Sequence, residues 1–267
     1  MQKMTQPRGT QVGSNGGGTT PGGENKSDAR VRHILEAVLW GIGFIVLMVA
    51  SVMVHNHPGP WPFDLQTTIM LQHIHYPGWL LSCIGAISRL NDPIPAGVAL
   101  ALWFIGLALF RKFRQAIFIA VGVTLADWFD FVLNHFVGRP RPSSPLIHVY
   151  MPEPIFSFPS GHTEHDMVYY GFLLYLSFSK PVRQWRYYRF LIPLQVLAVV
   201  IMLVIGYSRV LEGSHWVTDA LAGYLSGALL LFVLIRIYRW TTAKLAGRKV
   251  KWNTERFKSR LFLAHRP

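Results

Sequence analysis

Residues 34–54 read ILEAVLWGIGFIVLMVASVMV, and this stretch decides the fold class. Its length exceeds the roughly 18 apolar residues that a helix needs to cross a bilayer, and Glu36, near its start, is its one charged residue. The run ends where His55, Asn56 and His57 lead into a series of prolines, which break a helix. We therefore expect a membrane-spanning helix here.

The composition of the 267 residues agrees with a membrane protein. Apolar residues make up 51% of the chain and charged residues only 15%, whereas an ordinary soluble domain has roughly 25% charged residues. The single cysteine, Cys83, has no partner for a disulfide or a thiolate metal site, so we set redox chemistry aside. No segment between the apolar runs is long enough for a separate globular domain, which predicts one helical domain.

Further apolar runs predict an all-α bundle of six transmembrane helices. The run at residues 78–88 is too short to cross a bilayer, so we expect an interfacial or re-entrant helix between spans one and two. Gly223 and Gly227 form a Gly-x-x-x-Gly face in the last span, which predicts close packing against a neighbouring helix. The five spans after the first are expected at residues 93–110, 115–136, 163–179, 190–207 and 216–238.

The segments that flank these runs predict three parts. Residues 1–32 are rich in Gly, Thr, Ser and Asn and are expected to form a disordered cytoplasmic tail. Residues 33–239 form the six-helix membrane domain, and residues 240–267 form a basic cytoplasmic tail. Trp252 and Phe257 are interleaved with basic residues within 244–260, which favours contact with anionic inner-leaflet lipid over nucleic acid.

The net charge of +13 is explained by topology, without nucleic acid as a partner. If six spans alternate from a cytoplasmic N-terminus, all but four of the 26 Lys and Arg residues lie on the cytoplasmic side, as the positive-inside rule requires. The four on the outer side are Arg89, Arg139, Arg141 and Arg209. This pattern predicts a multi-pass cell-membrane protein with both termini in the cytoplasm.

Three polar stretches on the predicted outer side contain residues that a membrane protein rarely carries without a function. They are Gly138-Arg-Pro-Arg-Pro142, Pro159-Ser-Gly-His162, and Ser208-Arg209 followed by His215 and Asp219. Phosphoryl transfer needs cations for the phosphate oxygens, a nucleophile, and an acid for the leaving group. All three kinds of residue are present, so we expect an active site at the outer face.

The first requirement, a phosphate site, is met by arginines and by a helix start. Arg141 and Arg209 offer planar guanidinium forks for a phosphate, and Arg139 is a third candidate. Ser160 and Gly161 begin the fourth predicted span, where free backbone N–H groups favour an anion.

Two histidines meet the other requirements. The spacing of His215 and Asp219 predicts one shared helix face, on which the carboxylate holds the imidazole and leaves one ring nitrogen free to attack phosphorus. A phosphohistidine would result. His162, next to the phosphate site, would protonate the leaving oxygen and then activate water. This scheme requires no metal and no cofactor.

Together the three stretches resemble the signature of the type 2 phosphatidic acid phosphatase superfamily, over most of the chain from the third span to the sixth. The Ser-Arg-x5-His-x3-Asp spacing is complete. The first motif of that family is Lys-x6-Arg-Pro, and alignment on Arg141-Pro142 places Asn134 where the family has lysine. The resemblance implies a metal-independent membrane phosphatase in which His215 becomes phosphorylated. It also implies a phosphate site that includes the position of Asn134.

The leading hypothesis is a phosphatase for the phosphomonoester or diphosphate of a lipid, such as undecaprenyl diphosphate, phosphatidic acid or phosphatidylglycerol phosphate. A phosphotransferase could use the same phosphohistidine with another acceptor. Asn134 in place of lysine leaves open a catalytically weakened lipid-phosphate binder or transporter. The resemblance extends to vanadium-dependent haloperoxidases, but these are soluble, and six predicted spans argue against them. The sequence does not determine the oligomeric state.

Some polar residues outside the three motifs have weaker predicted roles. The pairs His55 with His57 and His73 with His75 resemble metal-binding pairs, but they are more typical of interfacial histidines. Glu212 is expected to form an ion pair with one of the arginines. Three residues at the start of the fourth span are expected to shape substrate access, namely Glu164, His165 and Asp166.

Overall fold

The computed structural model describes residues 26–153 and 156–264, with side chains up to residue 247, and these residues form helices joined by loops. A short 3-10 helix, Tyr188–Leu191, leads directly into α8. In chain order the α-helices are α1 (Lys26–Asn56), α2 (Pro62–His73), α3 (Gly78–Leu90), α4 (Pro93–Leu109), α5 (Phe113–Val137), α6 (Gly161–Ser177), α7 (Lys180–Arg183), α8 (Ile192–Leu211) and α9 (Val217–Ala264).

The chain divides into two compact units, residues 1–39 and residues 40–267. In the first unit the described residues are the start of α1, where apolar side chains such as Val31 and Leu39 are exposed. Residues 26–32, which were assigned to a disordered tail, therefore belong to a helix. Alanine and arginine favour a helix, and Asp28 interacts well with the helix N-terminus. The rest of the predicted tail, residues 1–25, lies outside the described residues.

The second unit holds α2 to α9 and the last part of α1. The predicted basic tail does not begin as a separate element, because α9 continues through residue 240 to Ala264. Side chains beyond residue 247, which carry most of the predicted lipid contact, lie outside the described part of the chain.

The all-α architecture predicted from the sequence is confirmed, with four or five candidate membrane spans among the described residues. α3 and α4 together pass the same test of length and hydropathy, but they are bent by 66° at the break between them. α6 has 17 residues and carries Glu164, His165 and Asp166 in its first two turns, which keeps it outside this count. The four single helices are Ser27–Asn56, Phe113–Val137, Tyr188–Leu211 and Val217–Gly247.

Two short helices stand between α1 and α4. α3 occupies the position of the predicted interfacial helix and extends it by two residues. α2 was not predicted, because Gln66, Thr67 and Thr68 interrupt its apolar pattern; Pro62 supplies a favourable first helical residue instead. α2 brings Asp64, which is fully buried, towards the start of α9.

α6 lies at the centre of the second unit, where it packs against α5, α8 and α9. Aromatic side chains form much of the contact: the rings of Phe172 and Tyr238 meet edge to face with their centroids 5.5 Å apart. The buried residues of this core come from α5, α6 and α9, and they are Ile119, Val123, Ala126, Val168, Tyr169, Phe172, Leu234 and Tyr238.

The predicted Gly-x-x-x-Gly face is confirmed as the contact between α9 and α6. A Cβ atom on Gly223 would lie 2.0 Å from Thr163 Oγ1 and 2.4 Å from the carbonyl oxygen of Ser160. A Cβ atom on Gly227 would lie 2.8 Å from the carbonyl oxygen of Glu164. Only glycine permits this approach, so the start of α6 is held directly against the first turns of α9.

Large apolar side chains cover the outside of the second unit. Ile94, Leu109, Phe110 and Phe190 are each at least 75% exposed. A soluble protein rarely exposes so many large apolar side chains, whereas lipid favours them. This surface fits a helical unit embedded in a bilayer.

Candidate active site

Three stretches that are far apart in the chain meet around one cavity of about 450 Å³. Gly138, at φ 66°, ends α5 and turns the chain towards the Arg-Pro-Arg stretch. The second stretch begins α6, and the third joins the end of α8 to the start of α9. Five predicted site residues line the cavity, namely Asn134, Arg141, Gly161, His162 and His215.

His215 is held with one ring nitrogen facing Arg141. Its Nδ1 lies 2.7 Å from the carbonyl oxygen of Ser157, and its Nε2 lies 2.9 Å from Nη1 of Arg141. A carbonyl can only accept, so Nδ1 carries the proton, and the neutral ring leaves a lone pair on Nε2. Burial and the Arg141 guanidinium hold the pKa of His215 well below its usual range. The unprotonated imidazole is the form that can act as a nucleophile.

Asp219 supports this arrangement from a greater distance than predicted. Its Oδ2 lies 3.9 Å from Nδ1 of His215 and accepts a 2.8 Å hydrogen bond from the backbone N–H of Trp216. His215 precedes the first residue of α9, Val217, so the two side chains do not share a regular helix face. The backbone carbonyl of Ser157, rather than the carboxylate, fixes the ring.

Arg139 is fully buried in an ion network and is not among the described residues that line the cavity. Its Nη1 contacts Asp219 Oδ1 at 2.5 Å, and its Nη2 contacts Asp64 Oδ2 at 2.7 Å. Thr218 accepts a further hydrogen bond from Nη1. Because these partners occupy both terminal nitrogens, the geometry does not support the predicted contact of Arg139 with phosphate. We assign it a positioning role.

Arg141 and Arg209 converge on Glu153. Arg141 Nη2 lies 2.8 Å from Glu153 Oε2, and Arg209 donates from Nη2 to Glu153 Oε1. Other donors of these guanidinium groups are held by the protein: Arg141 donates to the Ser214 carbonyl oxygen, and Arg209 donates to Ser88 Oγ. Two cations therefore point at one position beside the His215 ring, as a phosphate site requires.

Glu212 forms the predicted ion pair with an arginine of the site, and that arginine is Arg209. Its Oε2 lies 3.3 Å from Arg209 Nη1 and accepts a 2.9 Å hydrogen bond from Ser88 Oγ. Burial raises the pKa of Glu212, although the Arg209 charge opposes this effect. Glu212 lines a separate cavity of about 630 Å³, which places it behind Arg209.

The start of α6 forms the floor of the cavity. The backbone N–H of Ser160 donates to the carbonyl oxygen of Asp219 at 3.0 Å, which joins the second and third stretches. Ser160 Oγ is buried and has no hydrogen-bond partner among the described residues. Gly161 lies beside Asp130, whose Oδ2 would be 2.8 Å from a Cβ atom at this position. A larger residue would push the helix start and Asp130 apart.

His162 lines the cavity beside the start of α4. Its Nε2 lies 3.3 Å from Asp92 Oδ1, and Asp92 begins α4. The His162 contact lowers the pKa of the Asp92 carboxyl group. A carboxylate partner orients the imidazole, as a general acid requires.

Asn134 lies at the cavity wall with its side chain 5% exposed. Its Nδ2 donates to the carbonyl oxygen of Pro159 at 3.3 Å, and its Oδ1 has no hydrogen-bond partner among the described residues. The amide therefore ties α5 to the segment before α6. It adds no positive charge to the site.

The cavity wall formed by α5 carries acidic residues. Asp127 Oδ1 lies 2.8 Å from His165 Nδ1, and Asp130 stands one turn further along α5. His165 lines the cavity as expected for a residue that shapes access. Glu164 and Asp166 are fully buried and are not among the described lining residues, so the predicted role in access is limited to His165.

Glu153, His162 and His215 place ligand atoms within 4.8 Å of one another, a spacing that could hold a metal ion. The guanidinium groups of Arg141 and Arg209 contact the same carboxylate. Two fixed positive charges oppose a divalent cation at this position and favour an anion. The donor set therefore fits phosphate better than a metal.

One histidine of each predicted metal-binding pair contacts a backbone carbonyl oxygen away from the cavity. His55 Nδ1 lies 3.3 Å from the carbonyl oxygen of Val137, and His73 Nδ1 lies 2.8 Å from that of Ile69. In the described part of the chain neither pair belongs to a group with metal-binding geometry.

Sequence comparison identifies the part of the chain that carries these residues, because residues 115–243 match the model of the PAP2 superfamily. The match covers just under half of the chain. It includes Asn134, all three motifs, nearly all of α5, and the whole of α6 and α8. The resemblance inferred from the motifs is thereby confirmed.

Curated relatives of the chain include two phosphatases. Phosphatidylglycerophosphatase B of Bacillus subtilis (strain 168) is 31% identical over 135 residues, which are 48% of this chain and 61% of that protein. Undecaprenyl-diphosphatase of Sulfolobus acidocaldarius is 25% identical over 135 residues, which are 49% of this chain and 59% of that protein. The chain thus spans about three fifths of the length of these relatives.

Two solved structures share the fold. The PAP2-type phosphatidylglycerolphosphate phosphatase from Bacillus subtilis superposes with a TM-score of 0.59 at 23% identity, over 74% of this chain and 94% of that one. LpxE of Aquifex aeolicus gives a TM-score of 0.52 at 21% identity, over 66% and 96%. These similarities support the helical architecture around the matched region.

Four residues of the site were not identified from the sequence. Three are acidic, and each lies on the predicted outer side, where the four outer arginines also lie. The sequence therefore contained a hint of these residues, namely negative charges on the same side as the four arginines. It gave no motif spacing that would have identified them. Ser157 had no signal, since it acts through its backbone. The three acidic residues are Asp64, Asp92 and Glu153.

Proposed function

We propose that the protein is a metal-independent lipid phosphate phosphatase that acts at the outer face of a cell membrane. The observation that carries this proposal is the pairing of an unprotonated Nε2 on His215 with two arginines that converge beside it. The names of the curated relatives support the substrate class, a lipid with a terminal phosphate or diphosphate.

The reaction proceeds in two displacements. Arg141 and Arg209 bind the phosphoryl oxygens, and Nε2 of His215 attacks phosphorus as the bond to the lipid oxygen breaks. His162 donates a proton to that oxygen, and the lipid alcohol, or the lipid monophosphate when the substrate is a diphosphate, leaves. His162 then accepts a proton from water, whose oxygen attacks phosphorus and breaks the N–P bond. Inorganic phosphate and free His215 result.

The cavity wall supports a lipid substrate. Alongside the polar groups it includes small and apolar side chains from the outward-facing helices α4 and α5. An acyl or prenyl chain could lie along this wall while its phosphate reaches the arginines. The residues are Pro93, Ala96, Gly97, Leu100 and Phe131.

We also propose six crossings, with α6 as the short fourth span and with α2 and α3 at the outer interface. Burial supports α6 as a span, because an internal helix surrounded by α5, α8 and α9 needs less apolar surface than one that faces lipid. The excess of basic residues in the predicted cytoplasmic segments supports cytoplasmic termini.

The direct test is phosphate release by the purified protein from phosphatidylglycerol phosphate, undecaprenyl diphosphate and phosphatidic acid, in the presence of a chelator. We expect release from at least one substrate and an acid-labile, alkali-stable phosphoprotein after rapid quenching. Turnover without any phosphoprotein in a rapid-quench series would reject the covalent mechanism. No release from any lipid phosphate would reject the proposed function.

A further inference from the structure

The carboxylate of Glu153 lies where the proposed mechanism needs a phosphoryl group. Oε2 is 2.8 Å from Arg141 Nη2, and Oε1 accepts a hydrogen bond from Arg209 Nη2. The same side chain has an oxygen within 4.8 Å of ring nitrogens of both His162 and His215. It lines the cavity and is 23% exposed. One carboxylate therefore engages both arginines between the two catalytic histidines.

A carboxylate and a phosphate bind guanidinium groups in the same way, through planar pairs of oxygens and charge-assisted hydrogen bonds. An incoming phosphate cannot take these donors while Glu153 holds them. On the basis of the function proposed above, we propose that Glu153 is a built-in competitor for the phosphoryl site, which every phosphate ligand must displace.

Displacing Glu153 costs the same free energy for every phosphate ligand, but the effect on affinity differs between ligands. A lipid phosphate adds apolar contacts along α4 and α5 and is concentrated in the membrane plane, so it still binds. Inorganic phosphate has only its contacts with the polar groups, and the same cost removes much of its affinity. Glu153 thus keeps the site from being blocked by inorganic phosphate, which is also the product.

Glu212 provides a matched comparison. It is the same residue type and contacts the same Arg209, but its contacts are with Nη1 and with Ser88 Oγ, outside the phosphoryl site. Removing the negative charge of Glu212 strengthens the attraction of Arg209 for Glu153 and for phosphate alike. The stronger competition from Glu153 then offsets the stronger attraction for phosphate. Of the two glutamates, only Glu153 contacts the Nη2 atoms of both arginines.

The experiment is equilibrium binding of inorganic phosphate to the purified full chain in detergent, measured by calorimetry. We expect Glu153→Gln to tighten phosphate binding by about tenfold, because a neutral amide competes less well than a carboxylate for the two guanidinium groups. Glu153→Ala should tighten it at least as much. Glu212→Gln should change it by less than about threefold. The KM for a lipid phosphate should fall by the same factor as the phosphate dissociation constant in each Glu153 variant.

Unchanged or weaker phosphate binding in both Glu153 variants would overturn the proposal and make Glu153 a positioning residue for the arginines. Equal tightening in Glu212→Gln would also overturn it, since it would show a general charge effect. Binding is measured without turnover, so it tests Glu153 even if no lipid phosphate is hydrolysed. Conversely, if the protein hydrolyses a lipid phosphate but phosphate binding is unchanged in the Glu153 variants, the competitor role of Glu153 is rejected and the proposed function stands.

Discussion

Arg139 and Arg141 are two residues apart, yet they belong to opposite kinds of site. Arg139 is fully buried and bridges Asp64 and Asp219 in a closed ion network. Arg141 lies at the cavity and, with Arg209, meets Glu153 in an open cluster. The two guanidinium groups therefore differ in whether they reach the cavity.

The two sites also differ in what their partners are. The closed network ties α2 to α9 through side chains that no ligand can replace. In the open cluster both guanidinium groups meet at Glu153, which lies on a loop and is partly exposed. We expect changes in the closed network to affect folding first, and changes around the open cluster to affect chemistry first.

The largest expected effect is at the open cluster, where His215→Asn should reduce phosphate release by at least about a thousandfold, because no other described side chain is placed to accept the phosphoryl group. Asparagine retains a donor for the Ser157 carbonyl, so the melting temperature should change little. Phosphate release at saturating lipid and thermal unfolding by intrinsic fluorescence measure the two quantities. Activity within tenfold of the unchanged protein would remove His215 from the mechanism.

A second prediction contrasts the two arginines directly. Arg139→Ala should lower the free energy of unfolding by about 3–5 kcal/mol, because it leaves two buried carboxylates without their counter-ion. Arg141→Ala removes a partly exposed side chain and should cost about 1 kcal/mol or less, while activity falls much further. Unfolding in detergent, followed alongside phosphate release, compares them.

Asp64→Asn provides the control for this contrast, since it weakens the closed network from α2 without touching either motif. It should destabilise the protein in the same direction as Arg139→Ala. Equal stability of the Arg139 and Arg141 variants would show that the network is not closed in solution.

A third prediction separates the roles of the histidines. His162→Ala should slow the hydrolysis of an alkyl phosphate by about a hundredfold, because the departing alkoxide needs a proton, and should partly spare an activated aryl phosphate. The ratio of kcat values for the two substrates is the measurement, with His215→Asn as the variant that loses both. Equal losses with His162→Ala would indicate that it only binds phosphate.

The smallest expected effect is at Asn134, where the family has lysine. Asn134→Lys should tighten phosphate or vanadate inhibition by up to about tenfold, since a charged donor exceeds a neutral one by about 1 kcal/mol. Asp130 would compete for the new ammonium group, so the gain should be larger when Asp130→Asn is added. Inhibition constants for the single and double variants test this. No gain in either would mean that position 134 lies outside the phosphate shell.

The sequence predicted those parts of the fold and site that depend on local patterns. Apolar run length located α4, α5, α8, the end of α1 and the start of α9 to within a few residues, whereas α1 begins well before the predicted span. Gly223 and Gly227 predicted the tight α6 contact because only their lack of a side chain matters. Motif spacing brought His162, Arg141 and His215 to one cavity.

Tertiary partners could not be read from spacing. Arg139 resembled Arg141 in every local respect, and only Asp64, 75 residues earlier, distinguishes them. Asp219 was expected to hold His215, but the ring lies before the helix begins and bonds to a backbone carbonyl instead. Backbone partners have no signature in residue type. Glu153 was missed because it belongs to no motif.

The glycine contact between α9 and α6 has a consequence for how this scaffold can diversify. It joins the helix start that carries Ser160 and Gly161 to the helix start that follows His215, and hydrogen bonds from Ser160 and Thr163 to carbonyl oxygens of α9 reinforce the joint. The reacting groups therefore form one rigid frame. The apolar wall on α4 lies outside that frame, although Asp92 at the start of α4 contacts His162. Under the proposed function, substitutions at Ala96, Gly97 or Leu100 would change which lipid chains bind while the groups of the frame keep their positions.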